Sequence, residues 1–145
     1  MIQTVVALVE DLVFTAKLRA AAHGIEVALQ IAGQPEEWLQ LVRRASPTLI
    51  LIDLNFSRAD ALALVTQART ATNDRATPIV GFLSHVQAER ALAARAAGCT
   101  AAIPRSLFVQ LLPALLRDGV AALPAASDAL PTSAHLRGQA GAPAA

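Results

Sequence analysis

The apolar residues of this chain fall into short, dense runs that close on acids. Val5-Val6-Ala7-Leu8-Val9 ends at Glu10-Asp11, and Leu49-Ile50-Leu51-Ile52 ends at Asp53. Runs this short, with no polar residue between the apolar ones, read as strands covered on both faces, as in a parallel sheet between helix layers. Ile79-Val80-Gly81-Phe82-Leu83 is a third such run, and Thr100 to Ile103 a shorter one. From Val27 to Ala32 the pattern alternates instead. Val27, Leu29 and Ile31 stand against Ala28, Gln30 and Ala32. That period of two predicts a strand nearer the sheet edge.

Helical spacing fills the intervals. Leu12 to His23 carries Val13, Phe14, Leu18, Ala21 and Ala22 at helical positions and stops at Gly24, a natural C-terminal signal. His23 there adds a favourable charge to the helix end. Pro35 suits the first turn of a second helix. Glu36 and Glu37 favour its start and Arg43 and Arg44 its end through the macrodipole. Trp38, Leu41 and Val42 form its inward stripe, and Ser46-Pro47 ends it. Leu54 to Asp60 reads as a loop, and Ala61 to Ala71 as a third helix with Leu62, Leu64 and Val65 facing in. Thr72 to Pro78 is polar. Ser84 follows the fourth strand, in position to cap the next helix. That helix, Val86 to Ala97, is Ala-rich, weakly amphipathic and ends at Gly98. Leu107 to Val120 is the fifth helix. Pro113 within it predicts either a kink with one lost hydrogen bond or a fresh helix start.

The β-α unit thus recurs five times. Short connections and right-handed crossovers predict a doubly wound, flavodoxin-like (βα)5 α/β fold. The parallel sheet has order 2-1-3-4-5, with two helices on one face and three on the other. Strands one and three are neighbours at the switch point, so Glu10, Asp11 and Asp53 converge on one pocket.

Composition narrows the setting. With 145 residues, 54% of them apolar, the chain can build one domain with a proper core. We place that domain at residues 1–122. From Leu123 onward Pro124, Pro131 and Pro143, with Gly138 and Gly141 among Ala and Ser, cannot build a core element, and 123–145 is expected to be a disordered tail. The net charge of +1 argues against nucleic-acid or membrane binding driven by charge. A single cysteine, Cys99, fits a reducing cytosol and reads as small core filling. The run Ile2 to Val9 is too short for a membrane span and lacks the flanks of a signal peptide. A cytoplasmic protein is expected.

Three converging carboxylates raise one another's pKa unless a cation neutralises them. A hard divalent ion does so, and Mg²⁺ suits a site with few protein ligands and several waters. The plainer reading, solvated acids at strand ends, suits any one of them better than all three at the switch point. A cofactor binder of the same topology is disfavoured. Glu10-Asp11-Leu12-Val13 follows the first strand, where a phosphate or FMN would need backbone N–H groups and no acids. There is no Gly-rich phosphate loop and no Cys/His metal cluster.

These residues carry a resemblance. Val9-Glu10-Asp11, Ile52-Asp53 followed by Asn55, and Gly98 followed seven residues later by Arg105 resemble the receiver domain of two-component response regulators, from about Thr4 to Ala121. The resemblance implies a signalling domain, not an enzyme. It implies that Asp53 accepts a phosphoryl group from a histidine kinase or phosphotransfer protein. Glu10 and Asp11 would hold Mg²⁺ with Asp53, and Asn55 would offer its main-chain carbonyl. There are departures. Leu83 stands where the family has a hydroxyl residue that binds the phosphoryl oxygen, with Ser84 one residue late and so on the other strand face. Arg105, which can pair with phosphate, replaces a lysine that precedes a cis-proline. Here Ser106 follows, and a non-proline cis bond would cost about 3 kcal/mol, so a trans loop is expected. Ala102 stands where a strand-five aromatic reports the switch. Ser57 and Ala61 replace the usual Pro and Gly, while Asp60 is kept.

Two readings follow. One is a single-domain receiver, phosphorylated on Asp53 with Mg²⁺, acting through contact with a downstream protein. The other is a pseudo-receiver, a docking or dimerisation module independent of phosphorylation. Leu107, Phe108, Val109, Leu111, Leu112, Leu115, Leu116 and Val120 exceed the stripe one sheet face can bury. They suggest a homodimer or docking face at helix four, strand five and helix five, unless the tail folds back over it. His85 lies on the rim of the site and reads as a solvated loop residue.

Overall fold

The computed structural model describes residues 2–72, 76–84 and 87–124. Five strands, β1 (Gln3–Leu8), β2 (Val27–Ala32), β3 (Leu49–Asp53), β4 (Ile79–Leu83) and β5 (Ala101–Pro104), alternate with five helices. The helices are α1 (Leu12–Ala22), α2 (Pro35–Ala45), α3 (Ala61–Ala71), α4 (Ala88–Ala97) and α5 (Arg105–Asp118), and a 3-10 turn spans Gly119–Ala122. The sheet is parallel in the expected order β2-β1-β3-β4-β5. β2 is an edge strand, in keeping with its alternating pattern.

Successive side chains of a strand point to opposite faces, so each inner strand feeds two cores. Ile50 and Ile52 of β3 join Trp38, Val42, Leu64, Val65 and Ala94 under α2, α3 and α4. Leu49 and Leu51 join Phe14, Leu18, Phe108, Leu112 and Leu115 under α1 and α5. All five residues of β3 are buried, as a strand sandwiched between helix layers must be.

Several boundaries and orientations differ from the sequence reading. β1 starts at Gln3 and ends at Leu8, β5 ends at Pro104, and α5 starts at Arg105, two residues early. Val13 is 68% exposed and Leu12 84%, although helical spacing placed Val13 inward. Phe14, the next residue, takes the inward position of this turn and packs on Phe82, which leaves Leu12 and Val13 on the outer side. Leu41 and Leu62 are only partly buried. α5 runs unbroken through Pro113, which is exposed, so the fresh-start alternative falls. An interior proline costs about 3 kcal/mol or more. Burial of Phe108 and Leu112 before it, and of Leu115 and Leu116 after it, offsets this at about 1.5–3 kcal/mol each.

The apolar surplus of α5 is not an open stripe. Phe108, Leu112, Leu115 and Leu116 are buried, and Leu107, Val109, Leu111 and Val120 are half-buried against the same core. Leu123, at the start of the expected tail, packs there as well. Residues 125–145 and His85 lie outside the described residues. Cys99 is buried, and desolvation pushes its thiol up to about 12. No helix among the described residues is long and apolar enough to cross a membrane.

Candidate functional site

Asp53 closes β3 at the carboxyl edge of the sheet, where open α/β folds place their sites. Strand alternation puts it on the same face as Leu49 and Leu51, toward α1 and α5. It is 3% exposed. The Asn55 backbone N–H donates to its Oδ1 at 2.9 Å. Arg105 Nη2 donates to its Oδ2 at 3.3 Å. Burial pushes the Asp53 carboxyl above its ordinary range. The Asn55 N–H and the Arg105 guanidinium pull it back, while Glu10 and Asp11 push it further up.

The acid pair after β1 is split between two tasks. Asp11 caps α1, its side chain accepting from the N–H groups of Val13 at 2.8 Å and Phe14 at 3.3 Å. Such a cap stabilises a helix by about 1 kcal/mol. Its other oxygen lies 3.7 Å from Arg105 Nη1, so Arg105 sits between Asp11 and Asp53. Glu10 turns the other way, onto the loop after β3. It accepts from the Ser57 hydroxyl at 2.9 Å and the Ser57 N–H at 3.2 Å, and Arg58 Nε lies 3.4 Å away. Arg58 also donates to the Gly33 carbonyl at 2.6 Å, tying the loops after β1, β2 and β3 together.

Asn55 braces the other side. Its Oδ1 accepts from the Ser84 N–H at 2.6 Å, and its Nδ2 donates to Gln87 Oε1 at 3.1 Å. Ser84 is exposed and, with Asp11, Arg105 and Ser106, lines a groove of about 460 Å³ between α1 and α5. Leu83 and Ala102 are buried on the opposite face of the sheet, in the core under α2, α3 and α4. No cis peptide bond occurs among the described residues, so Arg105-Ser106 is trans as expected.

The expected site residues therefore lie at one end of the sheet, with Arg105 in contact with both Asp11 and Asp53 and Glu10 engaged elsewhere. Among the described residues no three acids or other ligating side chains are grouped closely enough to hold one ion. The donor chemistry still suits a hard divalent cation. Asp11 and Asp53 offer carboxylate oxygens and Asn55 a carbonyl, and such an ion keeps several waters.

Two features escaped the sequence reading. Arg105 Cζ lies 4.6 Å from the centre of the Phe14 ring and 5.4 Å from that of Phe82. Phe14 and Phe82 are on different elements, and only their apolar character was visible. The hold of Ser57 and Arg58 on Glu10 was also missed. An arginine soon after β3, facing an acid pair, was the available signal.

No family model matches the chain, and no curated protein matches it. Solved structures do. A putative response regulator from Chloroflexus aurantiacus superposes with a TM-score of 0.72 at 18% identity, covering 83% of this chain and 99% of that one. A response regulator from Hahella chejuensis gives 0.69 at 22% identity, covering 79% and 92%. One from Burkholderia pseudomallei, with a phosphorylated aspartic acid, a calcium ion and citrate, gives 0.69 at 18% identity, covering 82% and 69%. This chain has the fold of response-regulator receiver domains.

Proposed function

We propose that the chain is a receiver module of two-component signalling, in the cytoplasm, and not an enzyme. Asp53 accepts a phosphoryl group from a phosphohistidine of a histidine kinase or phosphotransfer protein. The observation that carries this reading is the environment of Asp53. It is a buried carboxylate at the end of β3, held at Oδ1 by a backbone N–H and faced at Oδ2 by a guanidinium beside an open groove.

In the proposed step Oδ2 attacks phosphorus, a P–O bond forms, and the P–N bond to the donor imidazole breaks. The imidazole leaves and takes up a proton. The Asn55 N–H holds Oδ1 and leaves Oδ2 to Arg105, which lines the groove. Arg105 stands on the oxygen that attacks and can donate to a phosphoryl oxygen. Asp11, Asp53 and the Asn55 carbonyl are the residues that would hold Mg²⁺, with Glu10 joining on release from Ser57 and Arg58. The ion supplies positive charge against the carboxylates and the transferred group.

A specific observation favours the second reading, a phosphorylation-independent docking or dimerisation module. Leu83 and Ala102, both buried, offer neither a hydroxyl nor an aromatic rotamer to sense the group. Exposed Leu92 on α4 would be an apolar contact of a face formed by α4, β5 and α5, for a second copy or a downstream protein. Beryllofluoride with Mg²⁺ separates the two readings. Uptake that disappears in Asp53→Asn supports the acceptor, and no uptake by the unaltered chain leaves the docking module.

A further inference from the structure

Hydrogen bonds alone do not place Arg105. Its contacts to Asp53 and Asp11, at 3.3 and 3.7 Å, are long beside the ~2.7–2.9 Å of good charge-assisted bonds. Its Nε is buried and has no hydrogen-bond partner among the described residues. What surrounds the guanidinium is aromatic. The Phe14 and Phe82 ring centres are 4.9 Å apart, and Phe82 stacks on Phe108 of α5 at 4.5 Å with an interplanar angle of 23°. The platform is therefore anchored in the core on the α1 and α5 side.

We infer that Phe14 and Phe82 are positioning residues for phosphoryl binding, their rings holding the Arg105 guanidinium beside Asp53. The inference rests on the acceptor reading of Asp53. Local structure explains the placement. Phe14 is fixed in the first turn of α1 by the Asp11 cap, which accepts from the Phe14 N–H itself. Phe82 is the register partner of Asp53 on β4, so its side chain emerges on the same sheet face. β4 thus serves the site through an aromatic ring at Phe82, while Leu83 points into the opposite core. A planar guanidinium stacks on such rings, and an ammonium on a flexible stem is held by them less firmly.

The test is a double-mutant cycle in the full chain, with beryllofluoride affinity in the presence of Mg²⁺ read by ¹⁹F NMR. Phe82 is left intact because it lies at the centre of the core. Phe14→Leu is expected to weaken binding about tenfold, the scale of a partly desolvated cation–π contact. Phe14→Tyr, which keeps the ring, is expected to bind like the parent. In an Arg105→Lys background Phe14→Leu is expected to have little further effect, because its target is gone. A second measurement needs no ligand. The Arg105 Nε–H resonance is expected to lie upfield, under ring currents, and to move downfield in Phe14→Leu or, should that variant fold poorly, in Phe14→Met. Equal weakening in both backgrounds, or an unshifted Nε–H resonance, overturns the inference alone. No uptake by the parent overturns the acceptor reading and this inference with it.

Discussion

A carboxylate that is 3% exposed is costly in its ionised form, and Asp53 has one guanidinium and one backbone N–H against that cost. Its folded pKa is raised from 3.8, first by desolvation. Ionising Asp53 is therefore harder in the folded chain than in the unfolded one. The stability this group contributes is full below pH 3.8 and declines as pH rises through the raised value. Asp53→Asn removes that loss. In metal-free buffer we expect the variant to be the more stable at pH 7, by on the order of 1 kcal/mol. The two stability curves should converge at and below pH 3.8. Urea titrations at several pH values decide it, and a parent chain more stable than Asp53→Asn at pH 7 refutes it. At this scale the position of Asp53 was legible, because four apolar residues ending in an acid can hardly be anything but a buried strand end. The division of labour between Glu10 and Asp11 was not. It depends on which loop each side chain meets, and a contact between Glu10 and Ser57 spans 47 residues.

β4 shows how an element reconciles two cores with one site. Ile79 and Leu83 face α2, α3 and α4, and Val80 and Phe82 face α1 and α5. Gly81 lies on the side of Ile79 and leaves room for Leu54, the fully buried residue after Asp53. A Cβ at position 81 would stand 2.5 Å from Leu54 Cδ1 and 2.7 Å from its Cγ. The Leu54 side chain is fully buried in the core, and its main chain is pinned as well. Its N–H donates to the Phe82 carbonyl, and its carbonyl accepts from Arg90 Nε, both at 2.9 Å. Gly81→Ala should destabilise the chain by about 1–3 kcal/mol through overpacking. Adding Leu54→Ala should cost less than the sum of the two single changes. Strict additivity in chemical denaturation would show that the two side chains do not compete for space. The strands were legible as elements because apolar runs declare themselves. The helix starts were less so. Periodicity alone cannot tell that Phe14 and not Val13 takes the inward position in the first turn of α1, or that α5 begins at Arg105.

At the scale of the whole molecule the sheet divides two different chemistries. Five β-α units made its order and its two-and-three arrangement of helices legible before any coordinates. Which side would respond to a ligand at Asp53 was not, because that depends on contacts between distant elements. A ligand shifts a conformation only through contacts that differ between the two states. On the side of α2, α3 and α4, Leu83 and Ala102 are packed and apolar, with no polar atom to follow a bound anion. On the other side Arg105 touches Asp53 and rests on Phe14 and Phe82, and Phe82 stacks on Phe108 in α5. This packing makes a physically continuous connection from Asp53 to two helices. Chemical shifts read whether Asp53 and these helices are coupled. On saturation with beryllofluoride and Mg²⁺, the largest chemical-shift changes beyond the site loops should fall on Phe14, Phe82, Phe108 and Val109. Those of Ala102, Leu92 and the rest of α4 should be smaller. Larger changes along α4 and β5 would mean that the response crosses the sheet despite Leu83 and Ala102. A downstream partner would then be sought on that face instead of on α1 and α5.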